Sequence, residues 1–131
     1  MSSDGTQPLI LIIEDEYLLA IEVEQALTDA GFATEITSSG EQALALLTKG
    51  DKRYSALVTD VTLAARANGW EVARRVREKD ASFPIVYVTA HDREWPSQGV
   101  PNSIVIPKPF APAQIVTAVS NLLNNGTPKA Q

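Results

Sequence analysis

The sequence predicts a doubly wound α/β domain with helices on both faces of a five-stranded parallel sheet, and three observations predict it. Five short strand-like runs alternate with helix-period segments along the 131 residues. The first run, LILII (9–13), is continuously apolar rather than alternating, as a strand covered on both faces must be. Each run is separated from the next by enough chain for a crossover helix, the connection that parallel neighbours need.

The elements follow in order. After LILII, Leu19, Val23, Ala26, Leu27 and Ala30 recur at helical spacing, and Gly31 is the stop signal. FATEIT (32–37) reads as a second, weaker strand. Ser38 and Glu41 form a candidate capping box ahead of Ala43, Leu46 and Leu47 in helix two. ALVTD (56–60) is strand three, and helix three runs from Trp70 to Lys79 with Val72, Ala73 and Val76 facing inward. PIVYVTA (84–90), rich in β-branched residues, is strand four. SIVIPK (103–108) is strand five, and Pro112 sits at the first turn of a last helix carrying Ile115, Val119, Leu122 and Leu123. One domain is expected over 1–131, with its core at about 8–124 and a flexible C-terminal tail, GTPKAQ.

Composition excludes several functions. There are no cysteines, so disulfides and thiolate metal sites are ruled out, which fits a reducing compartment. The single histidine, His91, rules out multi-histidine metal sites. A net charge of −5 and a pI of about 4.8 argue against nucleic-acid binding, and Arg74, Arg75 and Arg77 read as a solvated helix face. MSSDGTQP has no signal-peptide pattern, and no apolar run approaches the roughly 18 residues of a membrane span. The expected location is cytoplasmic.

In a sheet of this kind ligands bind beyond the carboxyl ends of the strands. Strand one ends at Glu14 and Asp15, strand three at Asp60, strand four at Thr89 and strand five at Lys108. Carboxylates held close together need a cation at neutral pH, and all-oxygen ligands favour a hard one such as Mg²⁺, with Mn²⁺ an alternative. Lys108 adds a fixed positive charge and Thr89 a hydroxyl, groups suited to the oxygens of a phosphoryl group in transfer. Asp60 is then the nucleophile that forms an acyl phosphate. Taken singly, each of these residues reads as a cap or a surface charge; the set at one sheet edge reads as a site.

The segments IIEDE, VTDVTL, NGWEVARRVR, YVTA and PKPF together resemble the receiver domain of bacterial two-component response regulators, over essentially the whole chain. The resemblance implies a flavodoxin-like fold with strand order 2-1-3-4-5. It implies that Asp15 binds Mg²⁺ directly and Glu14 through water, and that Asp60 is both metal ligand and phosphoacceptor. Thr62 lends the metal its backbone carbonyl, Thr89 is the switch hydroxyl, Lys108 binds the phosphoryl group, and the Lys108–Pro109 bond is cis. The donor is a sensor histidine kinase or a histidine phosphotransfer protein. The expected function is a stand-alone receiver without a DNA-binding output domain, read by another protein. It is not an enzyme beyond its own phosphorylation and dephosphorylation.

Three departures from that pattern stand out. Val105 replaces the usual aromatic three positions before the lysine. Pro96, Gly99 and Pro101 limit helix four to a turn or two. The loop VTLAARANG lacks the usual Met-Pro and places Gly69 one residue late. Trp70 reads as a packing residue. Trp95 reads as core packing over the alternative of an exposed docking anchor, and Glu16 as a first-turn helix acid favoured by the dipole. His91, two residues past Thr89, is a candidate modulator that in its neutral form orients the water attacking the phosphoryl group.

Other classes fit less well. A haloacid-dehalogenase-type hydrolase carries its nucleophile in a D-x-D motif after strand one, where this chain has EDE. A flavodoxin-like cofactor binder needs a Ser/Thr/Gly-rich phosphate loop there, and EDE would repel a flavin phosphate. A receiver used only as a phosphate sink or as a structural module remains an alternative.

Overall fold

The computed structural model describes residues 7–63 and 68–125. Its elements are β1 (Leu9–Ile13), α1 (Tyr17–Asp29), β2 (Ala33–Thr37), α2 (Gly40–Lys49), β3 (Ala56–Thr59), α3 (Gly69–Lys79), β4 (Ile85–Thr89), a 3₁₀ turn (Asp92–Glu94), α4 (Trp95–Gln98), β5 (Ile104–Pro107) and α5 (Pro112–Asn125). The five strands form one parallel sheet in the order β2-β1-β3-β4-β5. The expected class and order are both observed. The tail beyond residue 125 lies outside the described residues.

The pleat explains why the central strands are apolar throughout. Ile10, Ile12, Ala56, Val58, Val86 and Val88 point to one face, where Val23 and Leu27 of α1 and Ile115, Val119 and Leu122 of α5 cover them. Leu11, Ile13, Leu57, Ile85 and Tyr87 point to the other, against Ala43 of α2 and Trp70, Val72, Ala73 and Val76 of α3. On α1 the inward stripe is Ala20, Val23 and Leu27, while Ala30 is exposed. Gly31 follows at φ 99°, a conformation that suits glycine.

Four sequence expectations shift. Ser39, rather than Ser38, caps α2: its backbone is extended and its hydroxyl accepts from the Gln42 amide at 3.1 Å. Gln42 reaches back past the cap to the Ser38 amide at 3.2 Å, so Ser38 precedes the cap instead of forming it with Glu41. Strands three and five end one residue earlier than expected, leaving Asp60 and Lys108 just past the sheet. Glu16 stands at the N-cap of α1 instead of in its first turn, and its side chain makes no capping bond.

The three α3 arginines differ in their surroundings. Arg74 and Arg75 are exposed, but Arg77 is half-buried and donates to the carbonyls of Phe83 (2.7 Å), Pro101 (2.6 Å) and Asn102 (3.3 Å). It is a clamp that ties together the connections into β4 and β5 rather than part of a solvated face. Arg74 adds a bond to the Gln98 carbonyl at 3.3 Å.

Helix four is as short as Pro96, Gly99 and Pro101 imply, a single α turn after one 3₁₀ turn. Trp95 packs half-buried against the core and donates its indole N–H to Ser103 Oγ at 3.0 Å, so the packing reading holds over the docking one. Trp70 is also a packing residue, with its ring 4.6 Å from that of Tyr87.

Candidate functional site

Parallel pairing continues one residue past β1, β3 and β5 and thereby assembles the site. The Glu14 amide donates to Thr37 O (3.1 Å), the Asp60 amide to Ile13 O (3.0 Å) and the Lys108 amide to Thr89 O (2.9 Å). These bonds hold Glu14, Asp60, Thr89 and Lys108 at one edge, with the carboxylates at the β1–β3 boundary where the winding reverses.

Lys108 Nζ lies 3.2 Å from Glu14 Oε1 and 3.0 Å from Asp60 Oδ2. Asp60 Oδ1 accepts from the Val61 amide at 2.6 Å, and Glu14 Oε2 from the Glu16 amide at 3.1 Å. Both carboxylates are therefore oriented by the backbone and by one shared ammonium. Asp15 is exposed, and one carboxylate oxygen from each of Glu14, Asp15 and Asp60 falls within 4.8 Å of the others.

The electrostatics show which group is strained. Burial, with the negative charge of Asp60 added, raises the Glu14 carboxyl above its ordinary value, and the Glu16 amide and Lys108 pull it back only in part. Burial works to lower the Lys108 ammonium, but the hydrogen bond and charge of Asp60, with those of Glu14, outweigh it and raise it. Three carboxylates around one ammonium leave an excess of negative charge, which a hard divalent cation with oxygen ligands suits. The donor set, all carboxylate and within one ion's reach, fits such a cation.

Thr89 is fully buried, and its hydroxyl accepts from the His91 amide at 2.8 Å. His91 is exposed, with Nδ1 3.8 Å from Glu94 Oε2. Thr62 is exposed just past Asp60 and, with Val61, Leu63, Asn68, Trp70, His91 and Glu94, lines a hollow of about 350 Å³. The Lys108–Pro109 peptide is cis, as expected.

Gly69 belongs to the site although its late position had put its loop in question. Its amide donates to Val61 O at 2.8 Å, and a Cβ there would collide with the Asp60 carbonyl oxygen. Only glycine lets α3 start directly against the Asp60 backbone. Residues 64–67 of that loop lie outside the described residues. Glu94, which accepts from the Trp70 indole at 3.4 Å, is a residue the sequence reading missed.

The response regulator receiver domain family model matches residues 10–120. The chain belongs to this family. Among solved structures, the receiver is similar to a response regulator receiver protein from Sinorhizobium medicae, with 44% identity, a TM-score of 0.87 and coverage of 90% of this chain and 95% of that one. It shares the fold of the response regulator TrrA from Thermotoga maritima, solved in complex with Mg(2+)-BeF, at 23% identity, a TM-score of 0.80 and coverage of 89% and 100%. Among curated relatives, the transcriptional regulatory protein CusR of Escherichia coli K12 is 31% identical over 122 residues, 89% of this chain and 52% of CusR. The receiver thus spans about half the length of the curated relatives it matches.

The raised Glu14 carboxyl gives a signed stability prediction. The folded receiver holds this proton more tightly than the unfolded chain, so ionisation of Glu14 costs stability above its raised pKa and nothing below the ordinary carboxylate value of 4.5. Glu14→Gln, which keeps an acceptor for Lys108, is expected to raise the urea midpoint at pH 7 in chelator, with the gain shrinking towards zero below pH 4.5. A lower midpoint than wild type at pH 7 would contradict the balance described.

Proposed function

We propose that the receiver is a phosphoacceptor: Asp60 takes a phosphoryl group from a sensor histidine kinase or a histidine phosphotransfer protein in a Mg²⁺-dependent reaction. The observation that carries this is the Asp60 carboxylate held at both oxygens, by the Val61 amide and by Lys108 Nζ, beside Glu14 and Asp15. Such a nucleophile is oriented before the donor arrives.

In the proposed transfer an Asp60 oxygen forms a bond to phosphorus while the bond from phosphorus to the donor imidazole nitrogen breaks, and because the donor ring's other nitrogen carries a proton, a neutral histidine is left on the donor. Lys108 Nζ, already 3.0 Å from Asp60, pairs with the incoming phosphoryl oxygens, and the Thr89 hydroxyl donates to one of them. Asp15, Asp60, Glu14 through water and the Thr62 carbonyl would hold Mg²⁺, which supplies charge neutralisation of the phosphoryl oxygens when bound. The Mg(2+)-BeF complex of TrrA supports that choice of ion by analogy of fold.

Tyr17 and Leu18, 73% and 75% exposed at the start of α1, sit next to Asp15 and offer the donor protein an apolar foothold. The receiver then acts by protein–protein contact in the cytoplasm and performs no chemistry beyond its own phosphorylation and dephosphorylation. Among the described residues no helix is long and apolar enough to cross a membrane.

Asp60→Asn is expected to remove all phosphorylation by a small phosphodonor with Mg²⁺ while the fold is kept, as read by intact mass and circular dichroism. A phosphoryl adduct persisting on the variant would refute the assignment. His91, on the rim of the hollow, is proposed to orient the water that attacks the acyl phosphate. His91→Ala should then slow dephosphorylation of Asp60 at fixed pH. An unchanged decay rate in the variant would end the proposal for His91.

A further inference from the structure

The segment between Thr89 and β5 is anchored in two different ways. Residues 95–103 are fastened at many points. Trp95 Nε1 donates to Ser103 Oγ (3.0 Å), Ser103 Oγ to Val100 O (2.6 Å) and the Val100 amide to Tyr87 Oη (3.1 Å). Arg74 and Arg77 hold the carbonyls of Gln98, Pro101 and Asn102 from α3. Gly99 lies so close to the Trp95 ring that a Cβ would collide with it.

Residues 90–94 are held by far less. The His91 amide donates to Thr89 Oγ1 (2.8 Å), the Glu94 amide to His91 O (3.0 Å), and Glu94 Oε1 accepts from Trp70 Nε1 at 3.4 Å. The Ser97 hydroxyl joins the two parts through Glu94 O at 3.2 Å. Trp70, by contrast, is fixed: it follows Gly69, which rests on the Asp60 backbone, and its ring packs on Tyr87.

We propose that the Trp70–Glu94 hydrogen bond is a catch that phosphorylation of Asp60 releases. The inference rests on the phosphoacceptor reading and names the part that moves. When the Thr89 hydroxyl turns to the phosphoryl group it no longer accepts from the His91 amide, and the 3₁₀ turn loses its tie to β4. Among the described residues, two side-chain ties from the turn to the rest of the protein are then left, the Ser97 hydroxyl on Glu94 O and the bond to Trp70, and the latter, at 3.4 Å, is at the weak end of hydrogen-bond geometry. Glu94 is exposed and readily hydrated, and the hollow it shares with Trp70 is roomy enough for water to take over the indole N–H. Release therefore strands no buried donor. Residues 90–94 rearrange while the strap from Trp95 to Ser103 stays in place, and the surface a partner reads is the turn itself.

Val105 agrees with this division. It is half-buried opposite Tyr87 in the β4–β5 register, and it has neither the bulk nor the polar end to carry a swing between two positions.

The two tryptophans report on the two parts separately. In a proton–nitrogen correlation spectrum each indole N–H gives one cross-peak, assigned with Trp95→Phe. Adding beryllofluoride and Mg²⁺ should shift the Trp70 peak and leave the Trp95 peak in place. Glu94→Ala without any phosphoryl mimic should move the Trp70 peak in the same direction, with Glu94→Gln moving it less. Fluorine NMR on the same sample shows whether the mimic is bound. Bound fluoride with an unmoved Trp70 peak, or with Trp95 shifting as far as Trp70, overturns the catch and leaves the phosphoacceptor reading intact. No bound fluoride overturns that reading and the catch with it.

Discussion

The site depends on one ammonium shared between two buried carboxylates. Lys108 Nζ stands 3.2 Å from Glu14 and 3.0 Å from Asp60, and without it two negative charges would face each other at the end of a dry sheet. At an effective dielectric of 20, like charges 4 Å apart repel by about 4 kcal/mol, a large fraction of a small domain's net stability. The ammonium offsets part of this, yet the Glu14 carboxyl stays raised, by burial first and by the Asp60 charge second, and Asp15 adds a third negative charge at the surface. The residual charge imbalance is what suits the site to a divalent cation and to a phosphoryl group whose oxygens Lys108 can take over.

The fold sets that geometry through register. Glu14 and Asp60 are placed by amide bonds that extend the β1–β2 and β1–β3 ladders one residue beyond the strands. A slip of one residue would exchange buried Glu14 with exposed Asp15 and turn Ile10 and Ile12 to the wrong face. The apolar runs that fill the two sides of the sheet are therefore also what fixes the acidic trio. Gly69 contributes from the other direction, allowing α3 to begin against the Asp60 carbonyl.

Much of this was legible in the sequence. Continuous apolar runs gave the strands, and strand ends gave Glu14, Asp15, Asp60, Thr89 and Lys108, because in a parallel sheet chain direction alone decides which edge a residue occupies. Pro96, Gly99 and Pro101 gave the short α4. What was not legible depends on backbone conformation or distant partners. Ser38 and Ser39 are chemically equal candidates, and only the extended backbone at Ser39 selects the cap. Arg77 looked like one of three solvated arginines because its partners are carbonyls 6 to 25 residues away, which carry no sequence signal. Glu94 is 24 residues from Trp70, and neither periodicity nor motif joins them.

The short α4 and the valine at 105 give this receiver an output side unlike the aromatic-lever pattern. Its fixed strap is built from α3 arginines, Tyr87 and Trp95, and its movable part is the single turn that follows Thr89. Everything proposed for that turn presupposes that the trio holds a divalent cation, so Mg²⁺ binding to the phosphate-free protein is the most direct test. Isothermal titration should show one saturable Mg²⁺ site, weakened at least about tenfold, or about 1.4 kcal/mol, by Asp15→Asn. No saturable binding, or an isotherm that Asp15→Asn leaves unchanged, would contradict the account.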